Sequence, residues 1–239
     1  MVKHILGIGV PSGVTQVVLQ TTETFVISLV SSIIVLDSAG IANQTIFIAA
    51  HTIFNQVHTM SGLPNQALNL GSSTFAGQNI GAGRFDRVKQ AYFSLFIACF
   101  VVATALMVVL WIWGGDLLKL FIDMQEPNAE IVIEWGVKIQ RVMLWCLYGN
   151  VMIMVPSGIM RGAGDTLPAM AIALFCTVLL RLPMAYIWVG TSVSEANPGG
   201  TYQGIYWSMV ICSAIAGVLS IIYFATGRWK RKTLVSTQN

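Results

Sequence analysis

Charge is the scarcest feature of this sequence. Only 13 Lys and Arg and 10 Asp and Glu occur among 239 residues, whereas a soluble domain carries about 25% charged residues. This scarcity excludes an ordinary soluble domain. With 55% hydrophobic residues and a mean hydropathy of +0.72, the chain is predicted to be an all-α membrane protein with several crossings. The basic residues form short clusters between apolar runs, a pattern of membrane topology, so we expect lipid and no nucleic acid as a partner.

Catalytic and metal-binding motifs are missing as well. The four cysteines all lie in apolar runs and show no CxxC or Cys/His metal spacing, so we expect no disulfide and no metal. The chain has no HExxH, no GxSxG and no nucleophile with a partnered base. The segment GQNIGAG lacks the GK[ST] ending of a phosphate-binding loop. The sequence therefore disfavours an enzyme and indicates no cofactor.

Six long apolar runs are present instead, and each can cross a hydrocarbon core of about 30 Å as a helix. They predict a six-transmembrane-helix bundle with spans at about 8–36, 46–70, 91–113, 138–160, 167–190 and 204–226, and a basic tail at 227–239. Nine of the 13 basic residues fall on one side of this arrangement: Lys3, Arg84, Arg87, Lys89, Arg161, Arg228, Lys230, Arg231 and Lys232. Because basic loops remain in the cytoplasm, both termini are predicted to be cytoplasmic.

One acid, Glu23, lies near the middle of the first span. A carboxylate at that depth costs at least a few kcal/mol, so it is a candidate functional group by default. Gln16 and Gln20 recur at helical spacing beside it and predict a polar stripe that faces other helices or a cavity. The alternative interpretation is a buried Glu that holds two helices together by hydrogen bonds.

The second span carries a longer polar stripe, with spacings of three and four residues from His51 to Asn69. Its members are His51, Asn55, His58, Gly62, Asn65 and Asn69. Two neighbouring helices with polar faces favour a wet cavity, in which His51 or His58 can form a proton-responsive pair with Glu23. Alternatively, each of these side chains hydrogen-bonds a neighbouring helix. We assign Glu23, His51 and His58 to cation coupling, and Gln16, Gln20, Asn55, Asn65 and Asn69 to the substrate cavity.

Three further features are predicted in the remaining spans and turns. Met152 lies in a Met-rich and aromatic-rich fourth span that is suited to an adaptable binding surface, although such residues more often pack or face lipid. Arg181 either snorkels outward or contacts the cavity. Tight turns are predicted at two glycine-containing segments, whose members are Gly81, Gly83, Arg161, Gly162, Gly164 and Asp165.

An ordered series of motifs is similar to one known family. The segments are IAAH, LPNQAL, FAGQNIGAGRFDRVKQ, MVPSGIMRGAGDTLPAM, LLRLPMAY and GIYWSMVICSAIAGVLSIIYFATGRWK. Together with a Pro-Ser-Gly in the first span, they resemble the multidrug and toxic compound extrusion (MATE) transporters of the MOP superfamily, from about Gly7 to Lys230. Family members contain two six-helix bundles, and this chain resembles one of them, most closely the C-terminal bundle.

The resemblance implies a secondary antiporter, or half of one, that exports organic and often cationic compounds by alternating access in exchange for H⁺ or Na⁺. It implies a small organic substrate and a second six-helix bundle, either a missing N-terminal half or another copy of the chain. The expected location is a bacterial-type inner or plasma membrane. Glu23 lies on the helix that carries a coupling acid in the family, at a different offset from the proline. The alternatives are a flippase for lipid-linked oligosaccharides of the same superfamily, or an intramembrane enzyme that uses Glu23, His51 and His58.

Overall fold

The described residues form six consecutive helical rods. The computed structural model describes residues 2–36, 42–192 and 202–230. Rod 1 is α1, Val2–Val30; rod 2 is α2, Gln44–Gly81; rod 3 is α3, Phe85–Lys119. Rod 4 consists of α4, Ala129–Met143, and α5, Cys146–Gly162. Rod 5 consists of α6, Thr166–Leu174, a π-helical segment, Phe175–Arg181, and α7, Leu182–Ser192, and rod 6 is α8, Tyr202–Ala225.

Hydropathy separates the polar rods from the apolar ones. In the part of the chain that the structure describes, three helical segments are long and apolar enough to cross a membrane: Phe85–Lys119, Thr166–Thr191 and Tyr202–Ala225. The pair α4–α5 is a fourth if it counts as one span. The two rods with polar stripes, α1 and α2, are not among these spans.

The first helix ends earlier than predicted, at Val30 instead of near residue 36. The Ser31 hydroxyl donates to the Ser28 carbonyl at 2.7 Å, and the Ser32 hydroxyl donates to the Leu29 carbonyl at the same distance. Serine side chains compete in this way for backbone groups and favour a helix end. The chain then leaves the helix, and Val35–Leu36 (β1) pairs antiparallel with Ala42–Asn43 (β2). Residues 37–41 of the predicted loop lie outside the described residues.

The second helix, in contrast, continues to Gly81, although the sequence predicts a loop from residue 71. Tertiary packing explains the difference, since this end of α2 crosses α5 closely through small residues. A Cβ at Gly158 would lie 3.0 Å from the Asn69 carbonyl oxygen, and one at Gly77 would lie 3.4 Å from the Gly162 carbonyl oxygen. Small residues allow helix backbones to approach within a membrane, and this contact outweighs the low helix propensity of glycine.

The fourth predicted span, 138–160, is a broken rod that runs from residue 129 to residue 162. Its two helices are bent by 47° at Leu144–Trp145, so the break does not coincide with Pro156, which lies inside α5. After the break, α5 packs against α2, α3 and α8 and forms the centre of the bundle. Gly149 allows this packing, because a Cβ there would lie 2.8 Å from the Ser213 Cβ of α8.

The end of rod 6 is fixed by aromatic packing. Trp229, in the short 3₁₀ turn Arg228–Lys230, is buried and donates from its indole nitrogen to the Phe224 carbonyl at 3.1 Å. Its ring stacks on Phe224 at a centroid distance of 5.5 Å, and Phe224 stacks on Tyr92 of α3 at 4.1 Å. The start of the predicted basic tail is therefore attached to the bundle. Residues 231–239 lie outside the described residues.

Candidate functional site

An ion pair joins the first rod to the fifth. Arg181 Nη1 lies 2.9 Å from Glu23 Oε1, with 9% of the arginine side chain and 43% of the glutamate side chain exposed. Sequence reasoning left two positions open for Arg181, and the structure decides between them: the side chain turns inward and pairs with the one acid of the first helix. A charge pair at this depth is the kind of group that functional sites in membrane proteins contain.

The Arg181 guanidinium has more N–H donors than hydrogen-bond acceptors around it among the described residues. Its Nε and Nη2 atoms are buried and have no hydrogen-bond partner within the described residues. A buried donor without an acceptor costs about 1–3 kcal/mol, and more if it is charged. The single bond to Glu23 therefore carries most of the stabilisation of this cation, and the pair is less stable than a bidentate one.

The backbone around Arg181 is unusual. The residue ends the π-helical segment Phe175–Arg181 and precedes Pro183 by two residues. A proline has no N–H to donate and interrupts the α-helical hydrogen-bond pattern, and π-helical turns occur frequently at functional sites. The wider turn lies where the arginine enters the bundle and reaches across to α1.

His51 is an internal connector of the bundle. Its Nδ1 lies 2.8 Å from the Tyr206 hydroxyl of α8, and its Nε2 lies 2.8 Å from the amide nitrogen of Asn55. The His51 and Tyr206 side chains are both buried, 3% and 0% exposed. Both ring nitrogens are therefore occupied by neighbours, as expected from the interpretation in which the stripe holds helices together.

His58 lies further along the same face and is half-buried. Its ring packs on Phe54 with the centroids 5.4 Å apart. Both histidines lie within electrostatic reach of Glu23. Within the described ranges, however, Glu23 forms its ion pair with Arg181 and none with either histidine. The structure thus gathers the three predicted coupling residues in one region without direct contact between the acid and the imidazoles.

Asn65 and Asn69 lie in the packed part of the stripe. The Asn69 amide donates to the Met154 carbonyl at 2.7 Å, and its oxygen accepts a hydrogen bond from Arg161. Asn65 is 3% exposed, and its side-chain oxygen has no hydrogen-bond partner among the described residues. Asn69 therefore joins α2 to α5, and the structure places neither amide on an open surface.

The remaining predicted cavity residues lie at two different depths. Gln16 and Gln20 are exposed on α1. Met152 is half-buried on α5 and packs over Gly217 of α8, where a Cβ would lie 3.5 Å from its Cγ. Of the predicted cavity residues, Gln16 and Gln20 therefore lie on an exposed polar surface of the described bundle, and Asn55 is partly exposed. The predicted coupling residue Glu23 is partly exposed as well.

The predicted turn residues have distinct structural roles. Gly83 and Gly164 adopt positive φ angles of 72° and 74°, which favour glycine at both turns. Gly81 is the last residue of α2, and Gly162 ends α5. Arg161 binds Asn69, as described above. Asp165 accepts a hydrogen bond of 2.6 Å from the Tyr223 hydroxyl of α8.

The arrangement of the His, Cys, Asp and Glu side chains bears on metal binding. Within the described ranges, no group of three or more His, Cys, Asp or Glu side chains is placed to hold a metal ion. Glu23, His51 and His58 thus do not form such a group, and the metal-dependent form of the enzyme hypothesis has no ligand set in this region.

The sequence did not indicate two hydrogen-bond partners: Tyr206, which bonds to His51, and Tyr223, which bonds to Asp165. Each lies more than 50 positions from its partner along the chain. Both tyrosines occur in an apolar span, where an aromatic residue is usually packing. The one available signal was that a phenol in such a span needs a hydrogen-bond partner when it is buried.

The fold and the partly exposed ion pair define a multi-pass integral membrane protein with a polar interior, and comparisons with known proteins identify its family. The family model MatE matches residues 11–187. The chain belongs to this family, as its motifs predicted. The family consists of transporters, so the chain is not grouped with enzymes.

Curated relatives agree with this assignment. The chain is 28% identical over 187 residues to the probable multidrug resistance protein YoeA of Bacillus subtilis, which covers 77% of this chain and 36% of the relative. It is 21% identical over 236 residues to the probable multidrug resistance protein NorM of Thermotoga maritima, which covers 99% of this chain and 46% of the relative. The chain therefore spans less than half the length of these relatives.

Solved structures share the fold. The crystal structure of MATE in the bent conformation superposes with a TM-score of 0.79 at 16% identity, over 98% of this chain and 47% of that chain. A MOP superfamily transporter from Pyrococcus furiosus gives a TM-score of 0.78 at 17% identity over the same shares. The bundle thus has the fold of one half of a twelve-helix MATE-type transporter, which confirms the predicted fold class.

Proposed function

We propose that this chain is one half of a secondary antiporter that exports organic, often cationic, compounds in exchange for H⁺ or Na⁺. The observation that carries the proposal is the Glu23–Arg181 pair, a carboxylate inside a membrane bundle of the MatE family with 43% of its side chain exposed. A partly exposed acid can exchange partners, whereas a fully enclosed structural ion pair cannot do so without opening the fold. The relatives' description as multidrug resistance proteins supports the same class of substrate.

A second six-helix bundle is part of the proposal. Several polar side chains of α1 are exposed and would face lipid if the bundle were isolated. They are Gln16, Gln20, Thr24 and Ser28. Polar groups are costly in hydrocarbon and are expected against protein or water. The polar face of α1 therefore requires cover, and the solved relatives are about twice as long as this chain. The partner is a preceding N-terminal half or another copy of the chain.

The transport cycle follows from exchange at Glu23. An incoming H⁺ or Na⁺ neutralises the carboxylate on one side of the membrane, and a substrate cation replaces it after the bundles reorient, as in alternating access. His51 and His58 contribute through their polarity, within electrostatic reach of the carboxylate. The exposed Gln16 and Gln20 of α1 and the partly exposed Asn55 of α2 line the substrate path. The distribution of basic residues supports a cytoplasmic position for both termini, and the proposed location is a bacterial-type inner membrane.

Reconstitution tests the proposal directly. The chain is inserted into liposomes with and without a candidate partner bundle, and efflux of an organic cation is driven by a pH gradient or by a sodium gradient. Glu23→Gln is expected to abolish gradient-driven efflux while the protein remains folded, because the amide keeps the shape and loses the exchangeable charge.

The matched control is Glu134→Gln, the same chemical change at an exposed acid that pairs with Lys138 on the surface at 2.7 Å. This variant is expected to transport like the wild type, because an exposed ion pair contributes at most about 1 kcal/mol. Wild-type efflux by the Glu23→Gln protein would exclude a coupling role for Glu23.

A further inference from the structure

The charges at the candidate site are already balanced within the chain. Glu23 and Arg181 together carry no net charge, and the guanidinium nitrogen occupies one side of the carboxylate at 2.9 Å. Within the described residues, no second carboxylate contacts Arg181 or Glu23. The electrostatic neighbours of Glu23 are His51 and His58, which supply no negative charge. The site as folded therefore offers little net attraction to a small inorganic cation.

A sodium site at this position would need more than one acceptor. Hard metal cations bind several oxygen ligands, with carboxylates as the main source of charge. Here one oxygen of Glu23 is engaged by Arg181, and a cation on the other, partly exposed oxygen would lie beside the like charge of Arg181, which repels it. Arg181 opposes both H⁺ and Na⁺ at Glu23, but a proton needs one oxygen and no further ligand, whereas Na⁺ needs several acceptors, so the geometry favours a proton over a metal ion.

Arg181 is also suited to leave the carboxylate and return to it. Two of its three guanidinium nitrogens have no hydrogen-bond partner within the described residues, so it is not fixed by a second acceptor. When Glu23 is neutralised, Arg181 loses its one partner among the described residues and becomes an unpaired buried charge, which is strongly unfavourable. That state favours re-formation of the pair as soon as the carboxylate is free.

We propose that Arg181 is a tethered counter-ion of Glu23, which occupies the carboxylate in the absence of substrate and excludes Na⁺ from it. This inference rests on the proposed antiport function and sharpens it, because it assigns the coupling at this site to H⁺. Arg181 is a specificity-determining residue in this scheme. An organic cation displaces it only when other contacts in the cavity compensate for the lost pair.

Sodium binding to the purified full chain tests the inference without any transport measurement. Binding of ²²Na⁺ is measured for the wild type, Glu23→Gln, Arg181→Gln and the double variant, at constant ionic strength with choline as the replacement cation. The wild type and Glu23→Gln are expected to bind equally little. Arg181→Gln is expected to bind at least about tenfold more Na⁺ than the wild type at the same concentration, because the repelling charge is gone. The double variant is expected to lose this gain.

Thermal unfolding gives a second readout. The melting temperature of Arg181→Gln is expected to rise by about 3 °C for each tenfold increase in Na⁺ concentration above the Na⁺ dissociation constant. The melting temperature of Arg181→Lys, which keeps the charge, is expected not to change with Na⁺. Sodium binding by the wild type that disappears in Glu23→Gln overturns the inference, whether or not Arg181→Gln folds. A folded Arg181→Gln protein without the gain also overturns it.

These outcomes are distinguishable from failure of the proposed function. A chain that binds Na⁺ only without Arg181 but moves no organic cation supports the counter-ion and contradicts the antiporter. A wild-type transporter driven by a sodium gradient through Glu23 supports the antiporter and contradicts the counter-ion.

Discussion

The crossing of α2 and α5 provides the sharpest prediction about stability. A Cβ at Gly162 would overlap the Ser73 carbonyl oxygen, and it would lie 2.9 Å from the Ala76 Cβ and 3.0 Å from the Gly77 nitrogen. Favourable contacts between heavy atoms lie at about 3.5–4.0 Å. Since two of the three opposing atoms belong to the backbone, no side-chain rotation relieves the overlap, and the two helices must separate by about half an ångström or more.

We therefore expect Gly162→Ala to destabilise the protein by about 1–3 kcal/mol, the usual cost of overpacking a well-packed interior. For a chain of this length, that loss corresponds to a decrease in melting temperature of about 2–12 °C. The separation also strains the Asn69–Met154 hydrogen bond, which crosses the same pair of helices at 2.7 Å. This effect adds to the loss.

The matched control is Gly71→Ala on α2, the partner helix, where no described atom lies within 4 Å of the added Cβ. There the substitution is expected to stabilise α2 by about 0.5–1 kcal/mol, since glycine is a poor helix former. One substitution type thus has opposite signs at two positions of one helix pair.

Thiol labelling is a suitable assay, because all four free cysteines, Cys99, Cys146, Cys176 and Cys212, are buried. A maleimide fluorophore then reports unfolding of the detergent-purified protein on a temperature ramp. A Gly162→Ala protein that melts at or above the wild-type temperature would refute the packing argument. So would a Gly71→Ala protein that is equally destabilised.

Two further variants test the polar connectors. Tyr206→Phe removes one partner of His51 and is expected to lower the unfolding free energy by about 0.6 kcal/mol, the average for a hydrogen bond between membrane helices; a change above 3 kcal/mol would contradict this assignment. Asn69→Ala removes the side-chain acceptor of Arg161 and one of the two side-chain donors to the Met154 carbonyl, so we expect a larger loss of about 1–3 kcal/mol, measured by the same labelling assay. Equal melting temperatures for Asn69→Ala and the wild type would contradict the connector role.

Sequence alone predicted the number and order of the rods but not their ends. Apolar runs locate a membrane helix because lipid acts on the average of about 20 residues. The end of α1 depends instead on two serine hydroxyls, and the extension of α2 to Gly81 depends on α5, which is far along the chain. A glycine-rich segment is a loop by local propensity and a helix only because a partner backbone packs against it.

The residues of the candidate site could be predicted from the sequence, but their contacts could not. Glu23 and Arg181 each attract attention as charges in apolar spans, but they are 158 positions apart, and no local spacing indicates that they meet. The polar stripe of α2 was visible in the helical periodicity, whereas its roles were not. His51 and Asn69 turn out to bind neighbouring helices, because periodicity specifies a face and leaves open whether water or protein lies against it.

The same separation has a consequence for biosynthesis. Ribosomes add about 5–20 residues per second, so roughly 8–30 s pass between synthesis of Glu23 and synthesis of Arg181, which follows it by 158 residues. During this interval the first helix enters the bilayer with an uncompensated acid, and we expect it to remain at the edge of the insertion machinery. The charge of Glu23 is therefore balanced only after the fifth rod has been synthesised, and a chain released before that point would present an unpaired carboxyl group to quality control.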